Sequence, residues 1–459
     1  MDTSISGSGL DRYPLLTALR ERRSRRFGLG MKIPAGPLAY QSRHPAVTLT
    51  EAEEAALVFA GCGVTGHALA DLCYAKGEGG NIMAGLAGRT IASGDGLQTV
   101  ALIVINDSAT WLIRRPREMP AGALPELIDL GRRGAFTELY RRTRVKLKEG
   151  RTTLSSEPLF NINANRWSAH APGTTCFLPV NDLTHMYING LLEIFNESTG
   201  AFALDERNHF LPAGLGKFAR SRGGHLEDNP QQGRVATVRQ IEQFVTEFVT
   251  LEQGMMLQNL GLMTQALGLG GFPNFANHEF GWFQALDFRM EEMVASRYVG
   301  AGPVVSFAMN AMRRNPKIPY PVGLERNGEV LLKPFCPPYY PTMTDAVRAV
   351  VDLKFGTNGL FRGGAGSAWA RHAEVTQQVP AVSEATVAAA TAYCEYLWKR
   401  YGRFPVYMPP YRTVVAFQAC HLDAEFYGRF YKPEALGSNQ REDEPQKNAE
   451  LAKRKGAET

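Results

Sequence analysis

Five arginines crowd into seven residues near the start of the chain, Arg20-Glu21-Arg22-Arg23-Ser24-Arg25-Arg26. Guanidinium groups meet phosphate or carboxylate in a bidentate fork, and Ser24 adds an O–H donor. Such a run is costly to hold together unless an anion neutralises it. A phosphate site, a basic arm for nucleic acid or membrane, and a solvated helix face are the competing readings. A second group, Ser93-Gly94-Asp95-Gly96-Leu97-Gln98, sets a hydroxyl, a carboxyl and an amide beside glycines that let backbone approach a flat ligand; the plainer reading is a β-turn before a strand. Gly268-Leu269-Gly270-Gly271 closes a long apolar-periodic segment and is equally a left-handed helix cap. His421 and Glu425, four apart, could chelate a metal from one helix face, though a surface or core hydrogen-bond role is the simpler account. Asn163, Asn165, Trp167 and His170 make a polar-aromatic cluster.

The elements that must position these groups are legible in part. Tyr13 to Arg26 places Leu15, Leu16 and Leu19 on one helical face, with cations at the C-terminal end where they suit the helix dipole. Thr50 and Glu53 form a capping box that opens a helix from Glu51 to about Ala60. Thr99 to Asn106 (TVALIVIN) is the best candidate for a buried strand. Thr237 and Gln240 form a second capping box, opening a helix of about 30 residues, or about 45 Å, whose apolar positions keep helical spacing to Leu267. Helices are expected over Glu384–Tyr401 and about Val414–Tyr431.

The chain has 459 residues, 44% hydrophobic and 21% charged, with a net charge of +5, the balance of an ordinary globular protein rather than one dominated by nucleic-acid binding. No apolar run approaches the roughly 20 residues that span a bilayer. The polar start carries no secretory signal pattern, and the six scattered cysteines lack CxxC spacing, which suits reduced thiols in the cytoplasm. Gly61-Cys62-Gly63-Val64-Thr65-Gly66 matches GxGxxG, but a helix precedes it and no strand ending in an acid follows, so a dinucleotide fold is disfavoured.

Three segments, taken in order, resemble the nitroreductase-like FMN-dependent oxidoreductases, in particular the branch of SagB-type dehydrogenases. They are Arg22-Arg23-Ser24-Arg25-Arg26-Phe27; Leu49 to Gly66 followed by Arg89 to Gln98 and the TVALIVIN strand; and Gly254 to Gly271. The family's loop proline and asparagine are replaced by Ala92 and Gly96. The resemblance implies an α+β fold with a central, mostly antiparallel sheet flanked by helices around a long core helix. It implies a homodimer with FMN at its interface, the phosphate held by Arg22, Arg23, Ser24 and Arg26. Ser93, Gly94, Asp95, Gln98, Gly270 and Gly271 would lie along the ring, and Asn163, Asn165, Trp167 and His170 would touch substrate. The reaction would be two-electron transfer to or from a small molecule or peptide, with NAD(P)H as electron donor. The implied plan is a loose 1–10, an FMN-binding domain over 11–340 with an insertion at about 107–236, a helical extension over 341–436 and a disordered tail over 437–459. Two rivals remain: a cofactor-free binding or scaffold protein of the same fold, and a metal-dependent enzyme centred on His421 and Glu425.

Overall fold

The computed structural model describes residues 10–120, 122–155, 162–274, 279–363 and 366–442. The elements that organise it are, in chain order, α1 (Leu15–Glu21), α2 (Glu51–Cys62), β1 (Val100–Ile105), β2 (Ala109–Ile113), β3 (Arg144–Glu149), β4 (Thr175–Asp182), α3 (Leu183–Ile194), α4 (Val238–Ala266), β5 (Gly270–Asn274), α5 (Met343–Phe355), α6 (Glu384–Tyr401), β6 (Ala416–Cys420) and α7 (Ala424–Phe430). The fold is a mixture of helices and antiparallel sheet. The main sheet runs β5-β6-β4-β1-β2-β3, every neighbour antiparallel, with the two-residue strand Tyr411–Arg412 added on β4.

β1 shows why this sheet lies at the centre. All six of its side chains are buried, and alternation sends them to two faces. Val100, Leu102 and Val104 meet Leu57 and Val58 of α2 and Met256 and Leu260 of α4. Ala101, Ile103 and Ile105 meet Trp282, Phe283, Leu286 and Leu324 on the other side. A strand covered on both faces reads as a continuous apolar run, and each larger side chain so buried contributes on the order of 1.5–3 kcal/mol. A further core joins α3, α5 and α6 to the N-terminal half of α4.

Both capping boxes form as the sequence predicts, Thr50 with Glu53 and Thr237 with Gln240, and α6 has the predicted bounds. Other expectations need correction. α1 stops at Glu21 because Arg22 turns to extended backbone, so the arginines leave the helix instead of ending it. Val414–Tyr431 is not one helix: β6 occupies 416–420 and α7 starts after Asp423, whose carboxylate caps it through the Phe426 N–H at 3.0 Å. The stretch at 107–236 is no appendage, since it supplies β2, β3 and β4. The region after 341 is likewise not purely helical, since β6 inserts between β5 and β4. Gly437–Glu442, expected to be loose, is ordered: Asn439 donates to the carbonyls of Gln265 and Ala266 at 2.8 and 3.1 Å, and Gln440 to that of Leu269 at 2.9 Å. The rest of that tail and residues 1–9 lie outside the described residues. Among the described residues no helix is long and apolar enough to cross a membrane.

α4 is tied to the sheet by a buried carboxylate. Glu252 accepts from the hydroxyls of Ser93 (2.5 Å) and Thr99, from the Val100 N–H (3.1 Å) and from the Asn181 amide (3.0 Å). Glu252→Ala leaves these donors without an acceptor in a site only 2% exposed. It is expected to lower unfolding stability by about 3 kcal/mol or more. Urea denaturation checks this; a loss under about 1 kcal/mol would show that the carboxylate does not hold the helix in place.

Candidate functional site

The arginine segment crosses the C-terminal end of α4 in extended conformation. Arg25 alone among these cations is buried: its guanidinium donates to Gln265 Oε1 (2.7 Å), the Ala435 carbonyl (2.7 Å) and the Glu21 carbonyl (3.1 Å). Burial lowers its pKa, and its partners are neutral acceptors. Arg25 is therefore the pin of the segment, not one of its solvated charges. With it fixed, Arg22, Arg23 and Ser24 stand exposed and Arg26 half-buried. Arg26 donates to Asn165 Oδ1 at 2.7 Å, and its guanidinium lies 4.7 Å from the centroid of the Phe272 ring. Arg22 lies over Gly261 of α4, where an added Cβ would meet Arg22 Cδ at 3.6 Å. Among the described residues, no carboxylate is within ion-pair distance of Arg22, Arg23 or Arg26. A cavity of about 290 Å³ borders this segment, lined by Arg23, Ser24, Arg26, Phe27, Trp167 and Tyr431 among others. Trp167 stacks on Phe27, centroids 6.1 Å apart.

The loop at 93–98 turns its side chains the other way. Ser93 Oγ donates to Glu252 and accepts from the Gln98 N–H at 2.7 Å. The Gln98 amide donates to the Ala87 carbonyl. Gly94 packs under Phe248 and Met186. Asp95 accepts from Asn189 Nδ2 at 3.3 Å, and burial raises its carboxyl pKa. The expectation that Ser93, Asp95 and Gln98 present polar atoms to a ligand is thus corrected: Glu252 and Asn189, remote in sequence, and the nearer Ala87 claim them. Just before it, Thr90, Ile91 and Ala92 border, with Leu251, Gly254, Met255, Gln258 and Asn259 of α4, an open cleft of about 400 Å³.

These two regions share one helix face. Gly254, Gln258, Gly261 and Gln265 follow the 4-3-4 spacing of a single stripe. The stripe runs from the cleft, past Arg22 over Gly261, to the Arg25 anchor on Gln265, about 16 Å along the axis. Gly270 and Gly271 are not a free loop beyond it. They open the edge strand β5, paired with Cys420 and Ala419. A Cβ on Gly270 would lie 2.4 Å from Leu422 Cδ2 and 3.0 Å from the Arg25 carbonyl, and one on Gly271 would lie 2.7 Å from Phe417. Close packing, not ligand contact, selects glycine there.

Of the polar-aromatic cluster, Asn165 and Trp167 join the arginine segment. Asn163 is exposed and turned outward, and His170 donates its backbone N–H to Gln418 Oε1 at 3.0 Å, with its ring edge-on to Trp282. Sequence reasoning missed a buried ionisable cluster behind the 93–98 loop. Lys354 of α5, fully buried, donates to Asn189 Oδ1 at 2.9 Å and lies 3.8 Å from Glu193. Burial pushes the lysine down to about 8 and the glutamate up to about 7. Its signal was present: Lys354 falls in step with Met343, Val347 and Val350 on the apolar face of α5.

The metal reading does not survive. His421 precedes α7, so it shares no helix face with Glu425. His421 Nε2 lies 3.4 Å from Glu53, whereas Glu425 meets Tyr40, His44 and Arg43 at 3.3, 3.3 and 3.6 Å. No group of three candidate metal ligands occurs among the described residues.

No family model matches this chain, and no curated protein matches it. Among solved structures, a chain from Ralstonia eutropha JMP134 described as a candidate nitroreductase is similar with a TM-score of 0.29 and 12% identity, over 60% of this chain and 77% of that one.

Glu53 yields a pH test. Burial alone would raise its carboxyl, but the bond to His421, the charge there and the Thr50 N–H and hydroxyl outweigh it and hold it at about 2. The folded value lies below the ordinary 4.5. The contribution is therefore present above about pH 4.5 and lost as pH falls toward about 2. Between those limits His421→Ala is expected to lose less stability than the parent chain, while the Thr50 bonds keep part of the effect. Urea unfolding at successive pH values checks this, and parallel curves would refute it.

Proposed function

We propose that the chain binds FMN and carries out two-electron transfer on an organic substrate. One observation carries the reading: unpaired cations, Arg22, Arg23 and Arg26, stand at the end of a helix stripe that leads from an open, flat-walled cleft, with aromatic side chains beside them. A planar ring joined by a linear chain to a phosphate has that shape and charge. Arg22, Arg23, Ser24 and Arg26 would hold the phosphate. Thr90, Ile91 and Ala92 would form the wall against the ring, since Ser93, Asp95 and Gln98 are spent on the protein interior. The fit is therefore good at the phosphate end and rests on shape, not on polar contacts, at the ring end. When bound, the flavin supplies the hydride chemistry, which requires no acid or nucleophile from the protein.

The chain's own residues orient and exclude water. Arg25 fixes the segment, Asn165 holds the Arg26 guanidinium, and Trp167 with Phe27 covers one wall. We further propose a homodimer, with the exposed Phe244, Leu251 and Met255 of α4 beside the cleft facing the second copy. NAD(P)H as donor, a small-molecule or peptide acceptor and a cytoplasmic setting complete the proposal.

The test is flavin titration of the purified full chain by fluorescence quenching. Arg22→Ala and Arg26→Ala are each expected to weaken FMN binding about tenfold or more, and Arg20→Ala to leave it unchanged. Arg25→Ala is expected to lower thermal stability first. A colourless protein with no saturable quenching would refute the proposal, and equal small effects at Arg20, Arg22 and Arg26 would show that the cluster is only a charged face.

A further inference from the structure

A second set of arginines also lacks ion-pair partners, and one of its members is buried. Arg403, directly after α6, is 2% exposed. Its Nη2 donates to the Tyr298 carbonyl at 3.0 Å and its guanidinium stacks 3.6 Å from the Tyr298 ring centroid, but its Nε and Nη1 have no hydrogen-bond partner. Arg207 comes from the turn after the strand Phe202–Asp205. It stacks 3.7 Å from the Tyr407 ring centroid, and its Nη1 is also buried and without a partner. Arg297 completes the group from the surface. Its guanidinium occupies the space beside Gly402, where a Cβ would meet Nη2 at 2.2 Å, and Arg207 fills the corresponding space beside Gly300 at 2.6 Å from its Cδ. Both glycines have positive φ, so the two turns admit the side chains without a Cβ in the way.

The nearby carboxylates Glu242 and Glu206 act on these charges through space but form no ion pair with them. Glu242 accepts from the Val406 and Tyr407 N–H groups at 2.7 and 2.6 Å. Asp205 accepts from the hydroxyls of Tyr396 and Tyr401 at 2.7 and 2.8 Å, and Glu206 from that of Tyr407. Among the described residues, none forms an ion pair with Arg207, Arg297 or Arg403; only Asp205 reaches a cation, Arg400 at 3.7 Å. Arginine does not shed its proton, and a buried guanidinium beside a half-buried one, both with idle buried donors, is expensive unless an oxyanion takes those donors. Burial and the neighbouring Arg403 charge lower the pKa of Arg207, and Tyr401, Glu242 and Glu206 nearby offset only part of that.

We propose that Arg207 and Arg403, with Arg297 at the rim, form an anion site for the carboxylate or phosphate of a small metabolite. It is separate from the N-terminal arginine segment and independent of the flavin reading. The two groups border α4 at Glu242 and at Gln265, 23 residues or about 35 Å apart along the helix axis.

The test is thermal unfolding of the full chain titrated with inorganic phosphate or with acetate, against chloride at equal ionic strength. A saturating rise in Tm with either oxyanion is expected. Arg403→Met and Arg207→Met are each expected to weaken it about tenfold or more, while an Arg22→Ala, Arg26→Ala double variant keeps it. Saturation by phosphate alone assigns a phosphate ligand; saturation by both admits a carboxylate. If Arg403→Met does not fold, Arg207→Met, at a half-exposed residue, decides alone. No saturating response, or one that the methionine variants retain and the N-terminal double variant loses, would overturn the proposal. FMN titration of the methionine variants is expected to be unchanged, so failure here and failure of the flavin reading remain distinct.

Discussion

The fold depends on a helix that is polar where a core helix is usually apolar. Along α4, Glu242 receives the Val406 and Tyr407 N–H groups, Glu252 the start of β1, and Gln253 spans the Asn181 side chain and the 412–414 backbone. Further along, Asn259 donates to the Ala60 and Thr90 carbonyls and Gln265 accepts from Arg25. Each pair joins α4 to a segment remote in sequence. Apolar contact alone would tolerate a slide of one helical turn; a ladder of buried hydrogen bonds does not, because every slipped rung leaves a polar group unpaired in low dielectric. The ladder costs desolvation and gives in return a single register for everything that borders the helix.

That register explains how the arginine segment works. A run of guanidiniums repels itself, and left alone it would scatter into solvent. Arg25 removes this freedom by going inward to Gln265 and to the Ala435 and Glu21 carbonyls, and the ordered Gly437–Glu442 segment closes over the same helix end, with Ser438 donating to Glu21 at 2.9 Å from its N–H. The charges on either side of Arg25 are then held outward without any carboxylate to pair them. Preorganised, uncompensated cations are what an anionic ligand gains most from, since the protein has already met the cost of bringing them together.

What the sequence disclosed follows the range of the interactions. Both capping boxes, β1 and the bounds of α6 depend on neighbours within a few residues, and each was legible. The side of the chain to which Ser93, Asp95 and Gln98 turn is set by Glu252, Asn189 and Ala87, and no local pattern announces that choice. The same holds for Arg25, whose partner Gln265 is 240 residues away. The arginines matched to the family differ from Arg25 only in what the distant chain offers them. β6 was mistaken for helix because a short strand buried on both faces has no alternation to show, and Phe417, Ala419 and Cys420 fit either period.

Both arginine groups hold guanidiniums that form no ion pair with a carboxylate among the described residues. Their surroundings differ in a way that bears on exchange. The N-terminal group faces open space and a cavity, so a ligand can enter and leave without moving backbone. The Arg207–Arg403 group lies deeper, against tyrosine faces and beside two glycine turns, with Arg297 exposed at its rim. A buried guanidinium with idle donors suits an anion that completes the structure. The buried donors and the exposed ones thus divide between holding and handling, and α4 is the element that keeps the two apart.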